Sequence, residues 1–330
     1  MPREPLLTVS PAGLYCPKAD VYLDPWQPVE RALITHAHSD HARPGSKNYL
    51  CHHTTVPLLH ARLGTSPGQV QGVQYGEETT INGVRFSFFP AGHVPGSAQI
   101  LAESDGERWV FSGDYKTEDD GVSAPFEAVR CDVFISECTF GLPVFAWRPQ
   151  AEVFAELHQW WKSNQSEGAN SVVSAYALGK AQRLLGHIDR SAGRVVVHSA
   201  VWTMCEALGF DLSGLERASA ETRAKGALVV VPPAVLGGSW LNRFAPYSLA
   251  ALSGWMAIRG MRRRRGIEKG FVLSDHADFK GLTSAIRATG ASRVLLTHGY
   301  TAPFAKWLTE QGVDASELGT SYGTDDGEEQ

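Results

Sequence analysis

The residues His36-Ala37-His38-Ser39-Asp40-His41 bring three imidazoles and a carboxylate together directly after the apolar run 31–35. Side chains at i and i+2 of an extended segment point the same way, so His36 and His38 are expected on one face. The chain is then expected to turn toward a helix, carrying Asp40 and His41 with it. Ligands of this type and density suit two adjacent divalent cations, with zinc and manganese both compatible. A polar surface turn is the plain alternative. Three more strand ends carry matching groups. They are His93 after the run 84–89, Asp114 after the run 109–111 and His298 after the run 294–296. In open α/β sheets, ligand groups gather just beyond the carboxyl ends of strands. Each residue alone would pass for a satisfied core or turn residue; together they point to one shared site.

Short β-type runs are needed to position these groups, and the first third of the chain supplies them. Asn82-Gly83 between apolar runs predicts a tight hairpin. The middle third alternates strand 171–174, helix 180–189, strand 195–198, helix 202–209 and strand 228–231, which stops at Pro232-Pro233. The last third pairs strand 271–273 with helix 279–289, and strand 294–297 with helix 302–311. This alternation defines an α/β class.

Hydrophobic residues make up 43% of the 330, and charged residues 20%, the balance of an ordinary folded protein. The net charge of −5 offers no global basic field for nucleic acid. It hides an asymmetry, however. Residues 141–270 hold 16 Lys and Arg against 9 Asp and Glu, and the remainder holds 14 against 26. Five scattered cysteines without a CxxC pair suggest neither a disulfide framework nor a thiolate zinc site, and fit a reducing cytoplasm. Neither a membrane span nor a secretory signal is expected.

The order HxHxDH, lone His93, Asp114 in Ser112-Gly113-Asp114, and late His298 resembles the metallo-β-lactamase superfamily. The resemblance implies an αββα sandwich. It assigns His36, His38, His93 and Asp114 to a first metal, and Asp40, His41, Asp114 and His298 to a second, with Asp114 bridging. The superfamily's opening aspartate is matched by Asp24, with Asp20 as the rival. Ser136-Glu137-Cys138-Thr139, Ser274-Asp275-His276-Ala277-Asp278 and Thr297-His298-Gly299 further resemble motifs A, B and C of the β-CASP nucleases. That group carries an inserted α/β domain, which here would be residues 146–268 within a sandwich formed by 1–145 and 269–330. The insertion coincides with the basic block. The third motif is His, as in RNA-processing members. Leu23-Asp24-Pro25-Trp26, residues 36–44, Ser253-Gly254-Trp255-Met256 and residues 271–278 resemble the bacterial ligase-associated DNA exonucleases.

That resemblance implies two-metal hydrolysis of phosphodiesters, acting on single-stranded DNA from the 5′ end in DNA repair. A DNA ligase and a helicase of the same pathway would be partners. His276 would protonate the leaving oxygen, with Glu137 holding its ring; Asp24 and Asp40 complete the catalytic set. The alternatives are an RNA-processing nuclease, a small-molecule metallo-hydrolase and a non-catalytic scaffold. Tyr176, Gly179 and Lys180 lie before a helix start and form a candidate phosphate pocket, with a plain connecting loop as the rival. Arg259, Arg262, Arg263, Arg264 and Arg265 form a candidate surface for a nucleic-acid backbone.

Overall fold

The computed structural model describes residues 4–66, 68–258, 260 and 267–320. The chain divides into two compact units. Among the described residues, one holds those of 4–119, Ser123–Ala146 and 276–320; the other holds Asp120–Val122 and those of Trp147–Asp275.

The first unit is built on two sheets. The first runs in sequence order: β1 (Thr8–Ser10), β2 (Gly13–Cys16), β3 (Val21–Leu23), β4 (Arg31–Ile34), β5 (Asn48–His52) and β6 (Val70–Val73), with helix α1 (Thr55–Leu63) between the last two. The second holds β7 (Glu78–Ile81), β8 (Val84–Pro90), β9 (Ala98–Ser104), β10 (Glu107–Phe111), β11 (Val133–Cys138), β18 (Arg293–Gly299) and β19 (Asp314–Glu317). Its order is β19-β18-β11-β10-β9-β8-β7. The hairpin forms as expected, because Asn82 (φ 48°) and Gly83 (φ 83°) both adopt the left-handed backbone that a two-residue turn requires.

Alternation along the second sheet explains the layering. Phe86, Ile100, Trp109, Phe111, Ile135 and Leu295 join Leu14, Leu23, Leu33 and Leu50 of the first sheet in one core. The intervening Leu101, Val110, Phe134, Val294 and Leu296 pack instead with α5 (Phe279–Thr289) and α6 (Thr301–Glu310) through Leu282, Ile286, Phe304 and Leu308. Successive strand residues face opposite sides, so a sheet covered on both faces reads as continuous apolar sequence. With α1 against β5 and β6, the unit is a helix–sheet–sheet–helix sandwich.

The second unit contains α2 (Gln150–Ser166), β12 (Asn170–Ser174), α3 (Lys180–His187), β13 (Val195–Val197), α4 (Ser199–Ala207), β14 (Leu215–Arg217), β15 (Leu228–Val231), β16 (Tyr247–Leu252) and β17 (Lys269–Phe271). Its sheet is parallel throughout, in the order β14-β13-β15-β12-β16-β17.

Several boundaries differ from the sequence reading. The segment after His38 does not enter a helix: it makes a single turn, closed by the Ala42 amide on the His38 carbonyl (2.9 Å), and Pro44 stops it. Helix α4 begins at Ser199 rather than 202, since His198 Nδ1 caps it by accepting from the Ala200 amide (3.1 Å). The strand expected at 271–273 lies at Lys269–Phe271 and pairs with β16, so residues 269–275 belong to the second unit rather than to the sandwich. Helices α1 and α2 were not anticipated. No helix among the described residues is long and apolar enough to cross a membrane.

Candidate metal centre

Every metal-ligand candidate sits at the end of a strand or in the loop that leaves one. The HxHxDH segment leaves β4, His93 follows β8, Asp114 follows β10, and His298 lies near the end of β18. The β4 exit is stitched to β9 by the Thr35 carbonyl, which accepts from the Ala98 amide (2.8 Å). It also touches Gly113, where a Cβ would stand 2.7 Å from the Thr35 side chain, so only glycine lets Asp114 approach. His298 is aimed by a bulge. Glu137 pairs with Thr297 and Cys138 with Gly299, leaving His298 as the extra residue, at φ 54°. A β-bulge turns a side chain out of register, and such bulges favour functional sites. Asp24, after β3, also holds a positive φ, 42°.

Three groups of ligand atoms converge among the described residues, the third being Asp114, Glu137 and His276. His36, His38, His93 and Asp114 place ligand atoms within 4.8 Å of one another, as do Asp40, His41 and His298. His38 Nδ1 lies 3.1 Å from His93 Nε2. Asp114 Oδ2 lies 3.5 Å from His36 Nε2 and 3.6 Å from His93 Nε2. Ligands bonded tetrahedrally to zinc at 2.0–2.1 Å stand about 3.3 Å apart, so this spacing fits a metal. The other Asp114 oxygen, Oδ1, is 3.4 Å from His41 Nε2, which is 3.5 Å from Asp40 Oδ2. One carboxylate therefore faces both groups.

The outer nitrogens are already spoken for. His41 Nδ1 pairs with Asp24 (2.7 Å), His36 Nδ1 with Thr35 Oγ1 (3.0 Å) and His298 Nδ1 with Thr297 Oγ1 (2.8 Å). This fixes each ring with Nε2 facing inward, the arrangement that prepares histidine for a metal. His36 Nε2 is fully buried and has no hydrogen-bond partner among the described residues. A buried polar atom left so is costly unless something else meets it. The donor set therefore fits divalent cations.

Electrostatics agree. Burial, then the neighbouring His41, pushes His36 well below the usual imidazole range, and burial takes His298 down to about 4. Both rings are thus neutral, as ligands must be. Burial would raise the Asp114 carboxyl, but the His41 and His276 charges hold it well below its usual value. Burial would lower His41, yet Asp114 and Asp40 hold it well above its usual value. Without a metal, a proton on His41 answers these carboxylates; a bound cation would take its place.

Asp24 is fully buried. Its Oδ1 accepts from the Thr35 amide (2.7 Å), and its Oδ2 meets Thr35 Oγ1 and His41. Asp20, the rival, is exposed and accepts from the Tyr15 hydroxyl (3.0 Å). His276 Nδ1 lies 2.8 Å from Glu137 Oε1. Glu137 is buried and also accepts from the amides of Tyr115 (2.9 Å) and Thr139 (3.2 Å). The His276 ring centre is 4.6 Å from that of His93.

The candidate phosphate pocket is not an open site. Lys180 is 2% exposed, with Nζ 3.3 Å from Asp275 Oδ2. The Gly179 amide donates to Gln182 Oε1 (2.7 Å), and the Tyr176 ring lies against Lys180. Arg183, also buried, reaches Asp275 Oδ1 (3.7 Å) and the Ser274 carbonyl (2.7 Å). The lysine charge thus answers a buried carboxylate, and the helix-start amide is occupied. Arg259, Arg262, Arg263, Arg264 and Arg265 lie outside the described residues. The sequence reading passed over Thr35 and Thr297, although a Thr-His pair recurs at two strand ends and was the available signal.

No family model matches the chain. The protein named Probable DNA ligase from Opitutus terrae is 30% identical over 316 residues, covering 93% of this chain and 30% of that one. Endoribonuclease ysh1 of Aspergillus fumigatus is 34% identical over 139 residues, 41% of this chain and 16% of its own length. Cleavage and polyadenylation specificity factor 73 of Drosophila melanogaster is 30% identical over 166 residues, 48% of this chain and 24% of its own. The chain thus spans under a third of each of these relatives. A crystal structure of a protein of unknown function from Enterococcus faecalis shares the fold at TM-score 0.59 and 13% identity, over 89% of this chain and 78% of that one. The similarity to these relatives supports the metallo-β-lactamase superfamily for this chain.

Proposed function

We propose that the protein is a metal-dependent DNA exonuclease that hydrolyses single-stranded DNA from the 5′ end during cytoplasmic DNA repair. The observation that carries the hydrolytic reading is the meeting of the two ligand groups on one carboxylate, Asp114, with the His276–Glu137 pair beside them. Two divalent ions, zinc or manganese, would be held by His36, His38, His93 and Asp114, and by Asp40, His41, Asp114 and His298. When bound they supply charge neutralisation at the scissile phosphate and water activation at neutral pH. Asp24 and Thr35 keep His41 and His36 turned inward. His276, its Nδ1 held by Glu137, gives a proton to the departing sugar oxygen.

Residues 146–268 act as the β-CASP insertion, and their positive surplus meets the polymer, with the arginines 262–265 as part of it. The DNA reading is supported by similarity over nearly the whole chain to a protein named as a DNA ligase. A ligase, and a helicase that frees strands, are natural partners for such trimming. The 5′ polarity rests on the family resemblance. An RNA substrate is the second reading, favoured by the endoribonuclease relatives and by the histidine at position 298.

One gel assay tests both readings. Single-stranded DNA and RNA, labelled at either end and with or without a 5′-phosphate, are incubated with zinc- or manganese-loaded protein. Loss of DNA by single nucleotides from the 5′ end is expected. Internal RNA cuts would establish the second reading, and 3′ trimming would reverse the polarity.

A further inference from the structure

Helix α1 touches both loops that carry the first ligand group. At its first residue, the Thr55 hydroxyl donates to the Gly96 carbonyl (2.8 Å) in a buried contact. In its last turn, Arg62 Nη1 donates to the Ala37 carbonyl. Gly96 belongs to the turn whose Ser97 Oγ accepts from the amides of His93 (3.1 Å) and Val94 (3.2 Å). Ala37 separates His36 from His38. One rigid element therefore reaches the backbone beside three ligands.

The contacts are close. A Cβ at Gly96, where φ is +83°, would stand 2.6 Å from Thr55 Oγ1. The helix is itself anchored by the fully buried Leu58 and Leu59 and closed by Gly64 in the left-handed conformation. Arg62 is half-buried. Desolvation draws its guanidinium below the usual value, and the Asp40 charge opposes that shift, so Arg62 and Asp40 lie within electrostatic reach.

We propose that Arg62 is a positioning residue of the metal centre: it holds the Ala37 peptide and so sets the directions of His36 and His38, while Thr55 at the other end of α1 holds the turn of His93. The reason is geometric. Side chains at i and i+2 converge only while the peptides between them keep their orientation. Rotating the carbonyl of Ala37 would swing His38 away from His93. The positive charge beside Asp40 works against a cation there. Removing Arg62 therefore sets a lost orientation against a relieved repulsion, and orientation dominates, because the groups that orient metal ligands are typically worth about 10–100-fold in affinity.

The inference rests on the metal centre and not on the nuclease reading, so a protein that leaves DNA intact would still test it. Zinc affinity of the metal-free protein is measured by competition with a chromophoric chelator, and the visible spectrum of the cobalt form reports ligand geometry. Arg62→Gln is expected to weaken zinc binding by about 10–100-fold and to alter the cobalt bands, with little change in the melting temperature of the metal-free protein. Arg62→Lys, which keeps a charged donor, is expected to recover much of the loss. Thr55→Val is expected to weaken binding less than Arg62→Gln. Unchanged affinity and cobalt bands in Arg62→Gln would overturn the proposal. So would a loss of affinity matched by an equal loss of metal-free stability, since the helix would then support only the fold. If Arg62→Gln does not fold, Thr55→Val decides, and wild-type zinc affinity in that variant overturns it.

Discussion

Each compact unit buries a cluster of ionisable side chains, and the two clusters end differently. In the second unit, Lys180 and Arg183 close on Asp275, and Arg183 spends further donors on the Ser274 carbonyl and on Gln150 Oε1 (2.8 Å). Charge meets opposite charge between α3 and the segment that follows β17. In the sandwich unit, five imidazoles and two carboxylates aim at one another. The Nδ1 atoms of His36, His41 and His298 are tied to threonines and Asp24, and His36 Nε2 meets no hydrogen-bond partner among the described residues. Burying polar groups is expensive unless they are paired. A cluster of cations closed on one carboxylate serves the fold, whereas one that gathers imidazoles around shared carboxylates has the composition of a metal site. This contrast is why Lys180, an attractive phosphate ligand in the sequence, becomes a structural residue.

The largest effect is expected at Asp114, which faces both ligand groups. Asp114→Ala should leave less than one ion per chain by elemental analysis after saturation with zinc. Its activity loss should exceed that of any single histidine-to-alanine change. Equal losses in Asp114→Ala and His298→Ala would break the bridging reading.

Next comes His276, whose Nδ1 lies 2.8 Å from Glu137 and whose ring centre lies 4.6 Å from that of His93. His276→Ala should keep its metal and its DNA affinity, yet lose about 10²–10⁴-fold in turnover on an ordinary phosphodiester. The loss should be much smaller on a nitrophenyl ester, whose leaving oxygen needs no proton. Metal loss, or equal loss on both substrates, would move His276 into the binding set.

Lys180 tests the other half of the comparison. Removing one partner of a buried ion pair typically costs about 3–5 kcal/mol, and here Arg183 remains to soften the loss. Lys180→Ala should therefore lower the melting temperature clearly while leaving the ratio of rates on 5′-phosphate and 5′-hydroxyl ends unchanged. A lost 5′-phosphate preference without destabilisation would restore the phosphate pocket.

The smallest effect sharpens the rule. His52 is buried, stacks on Tyr75 at 3.6 Å, and has no hydrogen-bond partner on either ring nitrogen among the described residues. Among the described residues, no carboxylate shares a ligand group with it. Burial takes its pKa down to about 4 from the model-peptide value of 6.5. The folded state holds it neutral, so its contribution is complete above pH 6.5 and is lost as pH falls toward 4, by roughly 3 kcal/mol at most. Denaturation curves of wild type and His52→Phe should converge in shape above pH 6.5, and the wild type should weaken more steeply than the variant through that window.

The sequence by itself determined the α/β class, the hairpin at Asn82-Gly83 and which imidazoles and carboxylates the strand ends carry. Those signals are local: left-handed turn residues, apolar runs, and imidazoles at the ends of strands. It also marked Glu137 and His276, 139 positions apart, but only through family resemblance. Tertiary structure alone decided which aspartate orients His41, because Asp24 and Asp20 differ in what packs around them and not in type. It also decided how His298 enters the site, since a bulge is a mismatch between paired strands and leaves no mark on one of them. The buried fate of Lys180 and the bracing of two loops by α1 were invisible for the same physical reason. Burial and partnership belong to residues distant in the chain, and a lysine or an arginine reads alike in sequence whether its charge faces water, a carboxylate or the carbonyl of Ala37.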